Sequence, residues 1–65
     1  MAKHIELDFK TLSKLASEIE RSGDYNYAAS LWQKAASLAH KKINFEWCIN
    51  RKFFCQKMAL SLFNE

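Results

Sequence analysis

The chain has 65 residues, a formal charge of +3, 49% hydrophobic residues, one glycine and no proline. That length allows a single domain, which buries only about 60% of the surface its unfolded form exposes, and the apolar share with nine aromatics excludes a disordered tail. Scarce Gly and Pro argue against a small sheet and for helices joined by short turns, so the fold class expected is all-α.

Residues 1–7 show no clear period and read as a lead-in arm. Asp8 is placed to cap a first helix, about residues 8–22, by accepting from free amides of its first turn. Phe9, Leu12, Leu15, Ala16 and Ile19 then recur at three- and four-residue spacing, a narrow apolar stripe. Lys10, Lys14, Glu18 and Arg21 cover the other faces. Gly23 supplies the left-handed residue that ends the helix. Asp24 follows at once as the next cap, so the first two helices form a tight hairpin.

The second helix is expected over about residues 25–41. Tyr27, Ala28, Leu31, Trp32, Ala35, Leu38 and Ala39 fall on one arc, with Ser30, Gln33, Lys34, Ser37 and Lys41 facing water. The alanines allow close approach by another helix, and Trp32 fills the space beside them. His40, Lys41 and Lys42 suit the negative end of that helix.

Asn44 is the candidate cap of a third helix, about residues 45–62, with Ile43 before it as a hydrophobic staple. Its wheel is apolar on two sides. Trp47, Cys48, Phe54, Cys55, Met58, Ala59 and Leu62 share one side, expected to close a core with the first two helices. Ile49, Phe53, Leu60 and, nearer the edge, Phe63 form a second stripe roughly opposite, bordered by Lys57 with Asn50 and Ser61 and by Lys52 with Gln56. A helix sunk in a bundle is apolar all round. Two companion helices leave little to cover the second stripe, so it is read as an interface, either with a second copy or with another protein. Trp32, Trp47, Arg51 and Phe54 are the structural anchors. Arg51 points into the core side and needs a carboxylate, for which Glu18 or Glu20 on the first helix is the candidate.

Chemistry is thinly represented. Cys48 and Cys55 stand two turns apart on one face, about 10 Å along the axis, too far to bond within one helix. They read as buried free thiols in a reducing cytoplasm. His4 and His40 are isolated, so no metal site and no cofactor are expected, and the cysteines lack an obvious base, so the chain is not read as an enzyme. No apolar run exceeds three residues, far from the ~20 that cross a bilayer. Residues 25–65 carry six basic and two acidic side chains, a weak basic bias that fits nucleic acid, an acidic partner or simple solubility. The exposed face of the second helix offers only Gln33, Lys34 and serines for base edges, which suits specific DNA readout poorly.

Two resemblances attach to these residues. Leu12, Leu15, Ala16, Tyr25, Ala28, Trp32 and Ala35 give the large, large, small, aromatic, small, aromatic, small series of a tetratricopeptide repeat. An Ala stands where that repeat often has Gly, and no Pro follows the second helix. The third helix would then cap the unit. Over most of the chain, Gly23-Asp24-Tyr25, Ala28-Ala29, Leu31-Trp32, Ala35-Ala36, Asn44, Trp47-Cys48, Arg51 and Phe54-Cys55 resemble the ANR family, negative regulators of AraC-type transcription activators. The resemblance implies a small cytoplasmic protein of bacteria or their phages that binds an AraC-type virulence activator and blocks its dimerisation or DNA binding. Some members of that family are also associated with nucleoid-structuring proteins, which the resemblance implies as a further partner class. It does not identify contact residues, so the Ile49–Phe53–Leu60–Phe63 stripe with Lys52 and Lys57 rests on the residues themselves. The alternatives are a small regulator touching promoter DNA through Lys34, Lys41, Lys42, Lys52 and Lys57, and a phage or plasmid adaptor of another host protein.

Overall fold

In the computed structural model, which describes residues 8–63, the chain is an all-α domain of three helices: α1 (Phe9–Ser22), α2 (Tyr25–Leu38) and α3 (Lys42–Phe63). The lead-in arm read over residues 1–7 lies outside the described residues. Asp8 caps α1, its carboxylate accepting from the Thr11 amide at 2.8 Å, and that bond holds the Asp8 carboxyl below the usual carboxylate range. Gly23 ends α1 at φ 94°, a left-handed conformation, and donates its amide to the Glu20 carbonyl. Asp24 starts α2 one residue later, accepting from Tyr27 N at 3.3 Å. The tight hairpin follows from those three residues.

The second connection departs from expectation. α2 stops at Leu38 rather than near residue 41, because Ala39 turns to an extended conformation and donates to the Ala36 carbonyl. α3 begins at Lys42, so Asn44 lies inside the first turn and caps nothing. The backbone carbonyl of Lys41 accepts from Phe45 N instead. Ile43 makes no staple and is 72% exposed. Lys42 pairs with Glu46 at 3.9 Å across one turn of α3 instead of serving the end of α2.

α2 is the middle of a single layer. It packs against both neighbours, and α1 and α3 meet chiefly through Glu20. The layer measures 48 × 30 × 14 Å with a radius of gyration of 12.7 Å, above the roughly 11 Å of a compact chain this long. A central helix must be small on two sides, and α2 is. Ala28, Ala29, Ala35 and Ala36 are all buried, with Leu31 and Trp32 between them. The pairing of Ala29 and Ala36, one residue after Ala28 and Ala35, is the sequence signal for two neighbours, and it lies outside the single arc expected to be buried. Leu12 and Ala16 of α1 close one side, and Cys48 and Cys55 of α3 the other.

Candidate protein-binding site

α3 holds the candidate surface, and its length sets the geometry. Its 22 residues span about 33 Å against about 21 Å for the 14 residues of α2. α3 is therefore about two turns longer than the helix that supports it. The contact itself is narrow: among the described residues of α3 only Cys48 and Cys55 are fully buried, in one cluster with the alanines of α2. Burial pushes both thiols up; at Cys55 the nearby Arg51 charge and the Trp32 N–H act against that. Both are free.

This narrow seat corrects the expected core side of α3. Trp47, Phe54 and Leu62 do not close a three-way core; each is substantially exposed, because α1 lies beyond α2 rather than against α3. Two of them still anchor. Trp47 meets the buried Trp32 edge-to-face at 4.9 Å and 81°, and Phe54 meets Tyr25 edge-to-face at 6.4 Å. On α2, Tyr27 and Leu38 are likewise exposed rather than part of the buried arc.

Arg51 finds its carboxylate in Glu20, not Glu18. Among the described residues Glu20 is a polar junction of all three helices. Arg51 Nη2 donates to its Oε2, while the Trp32 indole N–H donates to Oε1 at 3.0 Å and the Cys55 thiol to the same oxygen at 3.5 Å. The Glu20 side chain is 14% exposed and that of Arg51 34%, so the pair is half sheltered. The guanidinium also lies over the Phe54 ring, 4.5 Å from its centroid. Trp32 and Arg51 are thus brought together on one carboxylate, with Trp47 packed on Trp32 and Phe54 under Arg51, and among the described residues no buried side-chain nitrogen or oxygen lacks a partner.

The second stripe is divided by the structure. Ile49 leaves it: half-buried, it packs on the core beside Cys48. Phe63 closes α3, and its side chain lies outside the described residues. Phe53 and Leu60 stand outward, 56% and 63% exposed. Lys57 is exposed beside them, while Lys52 is half-buried with its Nζ 5.3 Å from the centroid of the Phe53 ring. Leu60 and Ala59 line a groove of about 450 Å³ with Asn26 and Gln56. Phe45 adds exposed apolar surface on α3 that the stripe did not include.

Among the described residues no helix is long and apolar enough to cross a membrane. Compared with protein-family models, with curated proteins and with solved structures, the chain matches none.

Proposed function

We propose that this chain is a small transcriptional regulator working by protein–protein contact, and that it inhibits an AraC-type activator by occupying the surface the activator needs for dimerisation or DNA binding. The observation that carries the reading is the outward pair Phe53 and Leu60, large apolar side chains that α3 leaves mostly in solvent, away from its buried Cys48–Cys55 edge. Binding there removes activator from the DNA-competent population by mass action, without any chemistry on the part of this chain. The ANR resemblance supplies the activator as the target and a bacterial cytoplasm as the setting. Pairing of two copies through the same face is the other use such a surface has.

The test adds purified chain to an AraC-type activator bound to its promoter DNA and follows the complex by electrophoretic mobility, with light scattering giving the mass of the chain alone. Release of the activator by wild type and not by Phe53→Asp/Leu60→Asp, the variant keeping its helical circular dichroism, is the expected result. If the chain instead shifts promoter DNA by itself, with an affinity that falls steeply with salt, the exposed lysines are the working residues and the proposal fails. Loss of helicity in the variant would make Phe53 and Leu60 part of the core.

A further inference from the structure

Along the Phe53–Leu60 stretch the outward face of α3 is charged in one sense only; the exposed carboxylate of Glu46, two turns before Phe53, pairs with Lys42. Between Trp47 and Phe63 the helix carries Arg51, Lys52 and Lys57 and no carboxylate. Arg51 is committed to Glu20, which leaves the two lysines, and they stand on either border of the Phe53–Leu60 stripe. Lys52 is already drawn over the Phe53 ring, so the apolar anchor and a cation are presented together before any partner arrives. The neutral groups at the same place, the amides of Asn26 and Gln56 around Leu60, can each donate hydrogen bonds to a carboxylate.

A second copy fits this border badly. Antiparallel pairing of two α3 helices centred between Phe53 and Leu60 sets Lys57 of one against Lys57 of the other, and like charges at a closing interface are unfavourable. Stacking α3 on the far edge of α1 fares no better, because that edge is the polar one, with Lys10, Lys14 and Glu18 exposed.

We propose that the occupant of this face is an amphipathic helix of another protein whose apolar stripe is bordered by Asp and Glu. The apolar residues of such a helix cover Phe53 and Leu60, and its carboxylates meet Lys52 and Lys57. The inference rests on the reading of α3 as a docking surface and adds the chemistry of what docks there.

The probes are two synthetic helical peptides of about five turns sharing one leucine stripe, one bordered by Glu and the other by Lys. Binding to the full chain is measured by fluorescence anisotropy. The Glu-bordered peptide is expected to bind at least about tenfold more tightly than its twin at low salt. That preference should shrink between about 0.05 M and about 0.5 M salt and reverse in Lys52→Glu/Lys57→Glu. Lys57 is exposed and Lys52 half-buried over the Phe53 ring, so circular dichroism checks that the double variant folds and Lys57→Glu alone, expected to weaken the preference, serves as the second variant. Equal binding of the two peptides overturns the proposal. So does a dimer of the wild type that Phe53→Asp dissociates, since the face would then already hold a second copy. The activator assay fails independently: a peptide preference without release of any activator leaves the partner chemistry standing and removes the regulatory reading. Release that depends on Phe53 but is indifferent to Lys52 and Lys57 does the reverse.

Discussion

The α1–α2 hairpin and α3 are built from similar proportions of apolar residues and bury them very differently. In the hairpin, small residues lie inside and large ones fill the gaps: Ala16, Ala28 and Ala35 are fully buried beside Leu12, Leu31 and Trp32. In α3 the order is inverted. The buried positions are the two small thiols, while Phe45, Trp47, Phe53, Phe54, Leu60 and Leu62 all keep much of their surface in solvent. A helix with two neighbours can hide two faces; one with a single, shorter neighbour can hide a strip. The buried core of the domain is therefore concentrated in α2, and its exposed large apolar side chains in α3.

The sharpest way to break that contrast is to truncate the two tryptophans. Trp32→Ala should cost about 3–5 kcal/mol. That is from about a third to all of the stability available to a domain with roughly 0.05–0.15 kcal/mol per residue, so the melting temperature followed by far-ultraviolet circular dichroism should fall steeply. Trp47→Ala, which removes a half-exposed ring, should leave a folded protein with a modestly lowered melting temperature. Equal losses would mean that α3 is as much core as the hairpin.

A smaller effect is expected at the junction of the two regions. Glu20→Ala leaves the Trp32 N–H and the Arg51 guanidinium without their acceptor and should destabilise by about 1–3 kcal/mol, read from the urea midpoint. Glu20→Gln keeps an acceptor for Trp32 and loses the charge facing Arg51, and should fall between the two. If Glu20→Ala were neutral, α1 and α3 would be joined by packing alone.

The smallest effect is on the alkaline side. Cys48 and Cys55 have their thiols raised by burial between α2 and α3. Such a group favours the folded state fully below its unfolded pKa, about 8.5, and that contribution is lost as pH rises through the higher folded value. Stability should be insensitive to these thiols at neutral pH and decline from about pH 8.5 upward. Urea midpoints of the wild type and of Cys48→Ala/Cys55→Ala, compared across that range under reducing conditions, should converge toward high pH. Parallel curves would mean that the thiols ionise freely in the folded protein.

Much of the hairpin was legible because its determinants are local. Asp8, Gly23 and Asp24 act within a turn of their own position, through one side-chain acceptor or one left-handed residue, and the apolar spacing of α1 needs no knowledge of a neighbour. The boundary between α2 and α3 was not legible in that way. No glycine or proline stops α2, and the extended turn at Ala39 is chosen by the direction in which α3 must return. Arg51 illustrates the same division: its place among aromatics announced a carboxylate partner, yet Glu18 and Glu20 were equivalent until α1 had been set across α2. The two-sided apolar pattern of α3 was plain from residues 45–63, but its meaning depended on what lay against each side. Sequence alone thus determined the helices, the hairpin turn and the surplus of apolar surface, since each follows from near-neighbour geometry. Only the tertiary arrangement, with α2 in the middle and α3 packed on it along one strip, decided that Ile49 turns inward while Phe53 and Leu60 remain outside.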